Sequence, residues 1–370
     1  MNIILKQIKY DKNIINRTVY IMIFVSLLFK IGELISKRSV HRPGALKTPR
    51  LEVSWVGDSK KHYLKNASLE EDPIFNTYDK TFLSQYNMSE EITYRSDPEK
   101  WVKKETLENL LEDLLREVQY KKKKHFKKRK KNKDGEFTHF KVLRSSDFNR
   151  KKQSGCLIVQ FKNYPFVAKL FKESPESFVR PYSKGLIPMF FFNMGGGANR
   201  HLLGFTRIKN LEDIKKRIAE SEQWADAITS PRKWFWTPKE SAPMEIIGKN
   251  IEGKKEIKTI IPGTYFIIAD AIELEGKTFS IFNKEQRETC MSLCNYLDVS
   301  IDPHIDNFVL EKGTNKIAMI DTEHFPTMIG FKEKKQFSGY SSWISHLAGK
   351  FINDMFFRPK SRRRNPRKRT

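Results

Sequence analysis

One short stretch in the last fifth of the chain constrains the fold more than any other. It runs V-S-I-D-P-H-I-D-N-F-V-L-E-K-G-T-N-K-I-A-M-I-D-T-E-H-F-P from Val299 to Pro326. Phe308 to Leu310 and Lys316 to Ile320 are apolar enough for two short strands, and the polar residues 311–315 between them are typical of a tight turn. The sequence therefore predicts a β-hairpin at this point.

Three polar residues flank this hairpin at informative intervals. Asp302 and Asn307 stand five positions apart before its first strand, and Asp321 directly follows its second strand. We expect two carboxylates and one amide to meet at the same end of a small sheet. Such a cluster suits a hard divalent cation, which takes oxygen ligands and keeps some of its waters. The alternative is that these side chains only solvate the end of a hairpin.

The pattern D-x-x-x-x-N, a hairpin and then I-D resembles the catalytic core of the protein-kinase-like superfamily. The following Asp-x-Glu resembles its aminoglycoside and choline kinase branch. The resemblance implies that Asp302 orients or deprotonates an acceptor hydroxyl, while Asn307 and Asp321 hold magnesium against the phosphates of ATP. It also implies that loss of Asp321 abolishes phosphate transfer and leaves the fold intact. Ser300 and Thr322-Glu323 depart from the usual protein-kinase residues.

Upstream, the pattern changes to strands at 137–143, 156–161 and 166–171. The last of these contains V-A-K-L, which resembles the third strand of the family, whose lysine contacts the α- and β-phosphates. That implies a nucleotide-binding role for Lys169. A lysine buried between apolar neighbours needs a partner, because an unpaired buried ammonium is costly. The alternative is an edge strand from which Lys169 faces water.

A helix and a hinge complete the resemblance. Asn210 is a candidate cap for a helix that carries Leu211, Ile214 and Ile218 on one face. In the family a helical glutamate pairs with the strand lysine, and Glu220 is the central candidate, with Glu173, Glu176, Glu212 and Glu222 as rivals. The run T-Y-F-I-I-A-D-A-I, 264–272, resembles the fifth strand and hinge. It implies that backbone groups from Asp270 to Ile272 meet adenine.

Glycines are scarce where the family has its phosphate-covering loop. The segment 144–155 holds Gly155 alone, although serines and basic residues around it offer other donors to phosphate. The main cluster is instead Gly195-Gly196-Gly197. It is interpreted as a flexible turn, with an anion-binding nest of backbone N–H groups as the alternative.

Charge is the unusual part of the composition. The 370-residue chain has a formal net charge of +25, with ten basic residues in 121–133 and eight in 358–370. Such blocks favour polyanions, either nucleic acid or an anionic membrane surface, and equally serve as solvated spacers. The three cysteines do not form a disulfide framework, and Cys290 and Cys294 lie on one face of a predicted helix.

The amino terminus carries the only long apolar run. Val19 to Phe29 follows a basic leader, which is typical of a signal peptide or membrane anchor over residues 1–35. The chain is therefore expected to be membrane-associated or exported. Residues 36–98 are predicted to be an irregular linker with short ordered pieces at 51–53 and 81–83.

Together these features predict an α+β, two-lobed, protein-kinase-like fold with a reduced C-lobe. An amphipathic helix and lysine-rich run occupy 99–135, the N-lobe 136–272, the C-lobe 273–357 and a basic tail 358–370. The expected activity is transfer of the ATP γ-phosphate to a hydroxyl of a protein or small molecule, with magnesium. Two alternatives stay open: an inactive kinase-like binding module, and a basic, membrane-tethered polyanion-binding protein.

Overall fold

The computed structural model describes residues 51–64, 75, 77–125, 137–180, 196–249, 256–276, 279–280, 283–297, 301 and 305–323. The helices in these ranges are α1 (Lys80–Ser84), α2 (Lys104–His125), α3 (Pro175–Phe178), α4 (Gly196–Ala219) and α5 (Lys284–Leu297). The strands are β1 (Leu51–Trp55), β2 (His62–Leu64), β3 (Glu91–Thr93), β4 (Trp101–Lys103), β5 (Phe140–Arg144), β6 (Phe148–Asn149), β7 (Ser154–Phe161), β8 (Phe166–Lys172), β9 (Ile228–Thr229), β10 (Lys233–Trp236), β11 (Pro243–Lys249), β12 (Glu256–Pro262), β13 (Thr264–Asp270), β14 (Phe308–Glu311) and β15 (Lys316–Met319). The result is a mixed α+β fold in which most strand pairs are antiparallel.

A six-stranded antiparallel sheet forms the centre of the described structure. Its neighbours run β10-β13-β8-β7-β5, and the short β6 pairs with the start of β7. The three strands predicted upstream of the hairpin are confirmed as β5, β7 and β8. Because β8 lies between β7 and β13, Lys169 faces Ile158 on one side and Ile267 on the other. The edge-strand alternative for Lys169 is therefore wrong.

Side chains alternate between the two faces of this sheet, so each face has its own core. On one face α2 packs its buried leucines, such as Leu107 and Leu111, against Val159 and Phe266. On the other face α4 packs against Phe171, Tyr265 and other large side chains. Lys169 is two residues before Phe171 and therefore lies on the α4 face.

The predicted amphipathic helix of 99–135 exists as α2, but it begins at Lys104. The three residues before it form β4, which pairs with β3. Its apolar stripe is buried inside the protein against the central sheet. Most of the lysine-rich run, residues 126–133, lies outside the described residues.

The predicted linker of 36–98 is not irregular where the structure describes it. Its two expected ordered pieces are confirmed as β1 and α1, and β1 is an inner strand of a second sheet, β12-β11-β1-β2. Leu51 and Val53 of β1 are fully buried in the core that they share with α4. This role could not be predicted from the sequence, because β1 is only five residues long and pairs with β11, nearly 200 positions away.

Helix α4 starts earlier than the sequence predicts. Gly196 and Gly197 belong to its first turn, and Asn210 lies within the helix and not at its cap. Gly196 and Gly197 are therefore helical and not part of a flexible turn, and Gly195 lies outside the described residues. A Cβ at Gly197 would overlap the carbonyl oxygen of Ser177, so glycine allows α4 to approach α3 closely.

A third core joins α5 to the predicted hairpin, which is confirmed as β14 and β15. Leu293, Cys290 and Cys294 of α5 pack with Phe308 and with the end of α4. The predicted C-lobe is described only as far as Glu323, and the N-terminal hydrophobic segment and the basic tail also lie outside the described residues. Among the described helices, none combines the length and apolarity of a membrane span.

Candidate functional site

Asp321 is the centre of the candidate site. Its Oδ2 accepts a hydrogen bond from Lys169 Nζ at 2.9 Å, and its Oδ1 accepts one from Arg207 Nε at 2.7 Å. Arg207 Nη2 also approaches Oδ2 at 3.3 Å. The central sheet positions the lysine, α4 positions the arginine and the exit of the hairpin positions the carboxylate. Three distant parts of the chain therefore meet at one carboxyl group.

The two residues after Asp321 are held by the same helix. Arg207 makes an ion pair with Glu323, and its backbone carbonyl accepts a hydrogen bond from Thr322 Oγ1 at 2.5 Å. Asn210 Nδ2 donates to the carbonyl of Thr322 at 3.2 Å, and Lys233 Nζ on β10 donates to Thr322 Oγ1 at 2.5 Å. The segment 321–323 is thus docked on α4 through both side chains and backbone.

These charges lie in a largely water-excluded environment. The side chain of Asp321 is 15% exposed and that of Arg207 is 7% exposed. Burial raises the pKa of the Asp321 carboxyl, but the charges of Arg207, Lys169 and Lys233 outweigh it and hold that pKa far below its ordinary value. Asp321 is therefore an anion at neutral pH.

The pKa values of two buried basic groups, Arg207 and Lys233, shift in opposite directions. Burial lowers the pKa of the Arg207 guanidinium, but Asp321 and Glu323 overcome this and raise it. Burial lowers the pKa of the Lys233 ammonium well below its ordinary value, because the opposing charge of Asp321 is too weak to compensate. Arg207 is therefore a cation at neutral pH.

Asn307, the other expected metal ligand, is joined through its backbone to the residue before Asp321. Its backbone carbonyl accepts a hydrogen bond from the N–H of Ile320 at 2.9 Å, across the base of the hairpin. Asn307 is partly exposed and closes the short 3₁₀ turn that leads into β14. Asp302, the expected base, lies outside the described residues.

Glu220 is not the partner of Lys169. It follows the last residue of α4, is exposed, and lies 13 residues beyond Arg207, a helical distance of about 20 Å. Arg207 occupies the place on α4 that faces Lys169, and Asp321 supplies the negative charge. The sequence expectation failed because it started the helix too late and looked for its acidic residues.

The two expected hinge residues have different surroundings. Asp270 is buried, its carboxylate is bound by Arg232 at 2.7 Å and 2.9 Å, and its N–H donates to the Arg232 carbonyl. Ile272 is partly exposed, and within the described residues no hydrogen bond to its backbone is recorded. The segment that follows β13 contacts the hairpin, because the N–H of Glu275 donates a hydrogen bond to the carbonyl of Leu310.

The loop between β5 and β7 lies close to the same cluster. Gly155 has a φ of +114°, and a Cβ there would overlap the carbonyl oxygen of Asp147, so this tight loop requires glycine. Partial burial lowers the pKa of Arg144, but the charges of Asp147, Glu323 and Asp321 overcome it and raise that pKa. Arg144 forms an ion pair with Asp147 at 3.0 Å, so these two side chains balance each other beside the site.

Sequence reasoning missed Arg207 and Lys233. Neither belongs to a motif, and their roles arise only when α4 and β10 pack against the hairpin. The one available signal for Arg207 was its place between Phe205 and Ile208, two residues that are fully buried on α4. An arginine in such surroundings needs an anionic partner.

Among the described residues, no three side chains of the His, Cys, Asp and Glu types form a metal-binding group. The side chains of Asp321 and Asn307 end in oxygens, the atom type that magnesium takes from proteins, and it commonly uses one or two of them and completes its shell with phosphates and water. No family model, curated protein or solved structure matches this chain.

Proposed function

We propose that this chain is an ATP-dependent phosphotransferase that uses magnesium and acts on a hydroxyl group. The observation that supports it most is the contact of Lys169 with Asp321 at 2.9 Å, across 152 positions of sequence. A strand lysine and a carboxylate at the exit of a hairpin are the two charges that this chemistry brings together around a triphosphate.

The basic side chains of the site also support a polyphosphate ligand. Lys169 and Arg207 surround Asp321 and Glu323, and the amine of Lys233 lies beside them. Ammonium and guanidinium groups donate charge-assisted hydrogen bonds to phosphate oxygens, and a guanidinium can do so in bidentate geometry.

Asp321 and Asn307 are the residues that would hold the metal. When bound, magnesium supplies charge neutralisation for the phosphates and so assists transfer. Asp321 suits this role because it stays ionised, and Lys169 then serves the phosphate oxygens.

Ile272 is the residue we assign to the adenine base. The N–H of Asp270 already bonds to Arg232, and that of Ala271 bonds to the carbonyl of Pro165 at 2.8 Å. The backbone of Ile272 comes next, at the point where the chain passes from the central sheet to the hairpin. Asp270 then acts by fixing the hinge through Arg232, and not by touching the base.

In the proposed reaction the γ-phosphorus breaks its bond to the bridging oxygen of ATP and bonds to the acceptor oxygen. The acceptor hydroxyl loses its proton to Asp302, in the role that the resemblance implies for it. ADP and a phosphate ester are the products. The fold already holds Lys169 and Arg207 in place, and they lower the barrier by neutralising the negative charge of the transferring phosphoryl group.

The proposal is tested by calorimetric titration with a non-hydrolysable ATP analogue and magnesium. Lys169→Met should weaken binding about tenfold or more, because it removes a charge-assisted hydrogen bond to phosphate. Lys141→Met is the matched control, since Lys141 is an exposed lysine on β5 of the same sheet. Equal affinities for the wild type and Lys169→Met would contradict the proposal.

A second candidate, an inactive nucleotide-binding module, is favoured by one observation. Both oxygens of Asp321 already accept hydrogen bonds from cations, so nucleotide could bind without a metal. Thermal shifts with ATP in the presence and absence of magnesium separate the two functions. A shift that magnesium leaves unchanged favours the binding module, and a shift that magnesium increases favours the transferase.

A further inference from the structure

Arg207 competes with any cation for Asp321. Its guanidinium spans two carboxylates, with Nε on Oδ1 of Asp321 and Nη2 on Glu323. Lys169 takes the remaining oxygen of Asp321. A divalent ion that approached this carboxylate would gain little attraction, because Lys169 and Arg207 already neutralise its charge. Both cations would also repel the ion.

Arg207 is also anchored, so it cannot withdraw easily. Its helix is enclosed between the central sheet and the second sheet, and Ile208 next to it is fully buried. A Cβ at Gly204 would overlap the hydroxyl of Tyr265, which shows how closely α4 packs on β13. The bond from Thr322 Oγ1 to the Arg207 carbonyl holds the helix backbone to the segment that carries Asp321.

We propose that Arg207 makes metal binding at Asp321 conditional on a polyphosphate. Phosphate oxygens offer the Lys169 ammonium a new partner, which releases Oδ2 of Asp321 to the ion while Arg207 Nε stays on Oδ1. Metal and nucleotide then bind cooperatively, and the metal alone binds poorly. This inference rests on the proposed function and adds a positioning role for Arg207, which acts through Asp321.

The test is Mn²⁺ binding followed by the relaxation rate of water protons, with ADP as the polyphosphate. That rate rises when the ion tumbles with the protein and not when it is held by free ADP. For the wild type, ADP should tighten protein-bound Mn²⁺ about tenfold or more. For Arg207→Gln, Mn²⁺ without ADP should bind about tenfold tighter than to the wild type.

Two further variants control this test. Lys215→Gln removes a cation from the exposed side of the same helix and should match the wild type. Arg207→Lys keeps a charge but is too short to span both carboxylates, so it should fall between the wild type and Arg207→Gln. If Arg207→Gln does not fold, Arg207→Lys replaces it in the test. If neither variant folds, Mn²⁺ binding by the wild type with and without ADP decides the outcome.

The outcomes separate the gating proposal from the proposed function. ADP-dependent Mn²⁺ binding by the wild type supports both. If ADP binds but leaves the affinity for Mn²⁺ unchanged, the gating role of Arg207 is wrong and the proposed function stands. A folded Arg207→Gln variant that binds Mn²⁺ like the wild type has the same meaning. A wild-type protein that fails to bind labelled ADP in equilibrium dialysis overturns the proposed function and the gate together.

Discussion

Asp321 holds its negative charge in a place that excludes most of the solvent. Asp321→Ala would leave Lys169 and Arg207 without their shared anion, and breaking a buried pair in this way costs about 3–5 kcal/mol of the free energy of unfolding. The sequence predicted that loss of Asp321 leaves the fold intact, but because of these ion pairs we expect Asp321→Ala to lose stability as well. Denaturant unfolding of the purified variant measures the loss.

Two comparisons make that stability measurement specific. Asp321→Asn keeps the shape and one acceptor, so it should lose less stability than Asp321→Ala. Asp113→Ala removes a carboxylate from the exposed pair with Arg116 and should cost at most about 1 kcal/mol. A loss of that small size for Asp321→Ala would show that the buried ion pairs do not stabilise the fold.

His201 predicts a pH dependence. It is fully buried, its Nε2 lies 2.7 Å from the Pro262 carbonyl, and burial lowers its pKa from 6.5 to about 4. Between these values the unfolded chain binds a proton that the folded chain does not, so stability is full above pH 6.5 and falls towards pH 4. The loss from pH 7 to pH 5 should be about 2 kcal/mol.

Denaturation at a series of pH values, compared between the wild type and His201→Gln, checks this dependence. Glutamine does not titrate, so the variant should lose about 2 kcal/mol less than the wild type over the same interval, whatever its stability at pH 7. Identical slopes would show that His201 is not the group responsible.

Single residues also show where sequence reasoning succeeds and where it stops. Lys169 and Asp321 were singled out because each lies in a short pattern that resembles the kinase-like motifs, a lysine in an apolar strand and an aspartate at a hairpin exit, and the two side chains are in contact. Arg207 and Lys233 have no such pattern, and only tertiary packing gives them partners. The identity of the lysine's partner therefore could not be read from the order of residues.

Helix α4 is the element on which the site depends. Its first turn touches α3, its middle carries Arg207 and its end reaches the core around α5. Gly197→Ala would drive a methyl group into the backbone of Ser177, and such overpacking costs about 1–3 kcal/mol. Thermal and denaturant unfolding measure this loss.

An alanine at an exposed position of the same helix provides the control. Lys216→Ala removes a solvent-facing side chain and should change stability by less than about 0.5 kcal/mol. If Gly197→Ala were equally mild, the close approach of α4 to α3 would not be a constraint on the position of Arg207.

Strands and the hairpin were predictable because they carry local signals, namely apolar runs ended by turn residues. The second sheet was not, since β1 gains its place through a partner almost 200 positions away. The start of α4 was missed for another reason: successive glycines usually favour turns, and here close packing with α3 overrides that preference.

Two arginines connect the segment around β3 to the end of β13 and to the hairpin. Arg95 binds both carboxylate oxygens of Glu311 at 2.6 Å and 2.9 Å, and Arg232 joins Asp270 to the backbone of Thr93. These contacts help to fix how the central sheet and the hairpin face each other. They join segments that are far apart in sequence.

Arg95→Met should loosen this arrangement. It leaves Glu311 buried without its cation, at a cost of about 3 kcal/mol, and should speed amide hydrogen exchange in β14 and β15. Lys104→Met, which removes a cation from the highly exposed Glu90, is the control and should leave exchange unchanged. Unchanged exchange in Arg95→Met would show that the hairpin is held by other contacts.

The location of bound nucleotide tests the central claim most directly. Photolabelling with 8-azido-ATP and magnesium, followed by mass spectrometry of the peptides, reports which residues lie beside the base. We expect label on the hinge segment 271–275, lost on competition with ATP and reduced in Lys169→Met. Label that is absent, or confined to the lysine-rich run 121–133, would contradict a nucleotide site between the central sheet and the hairpin.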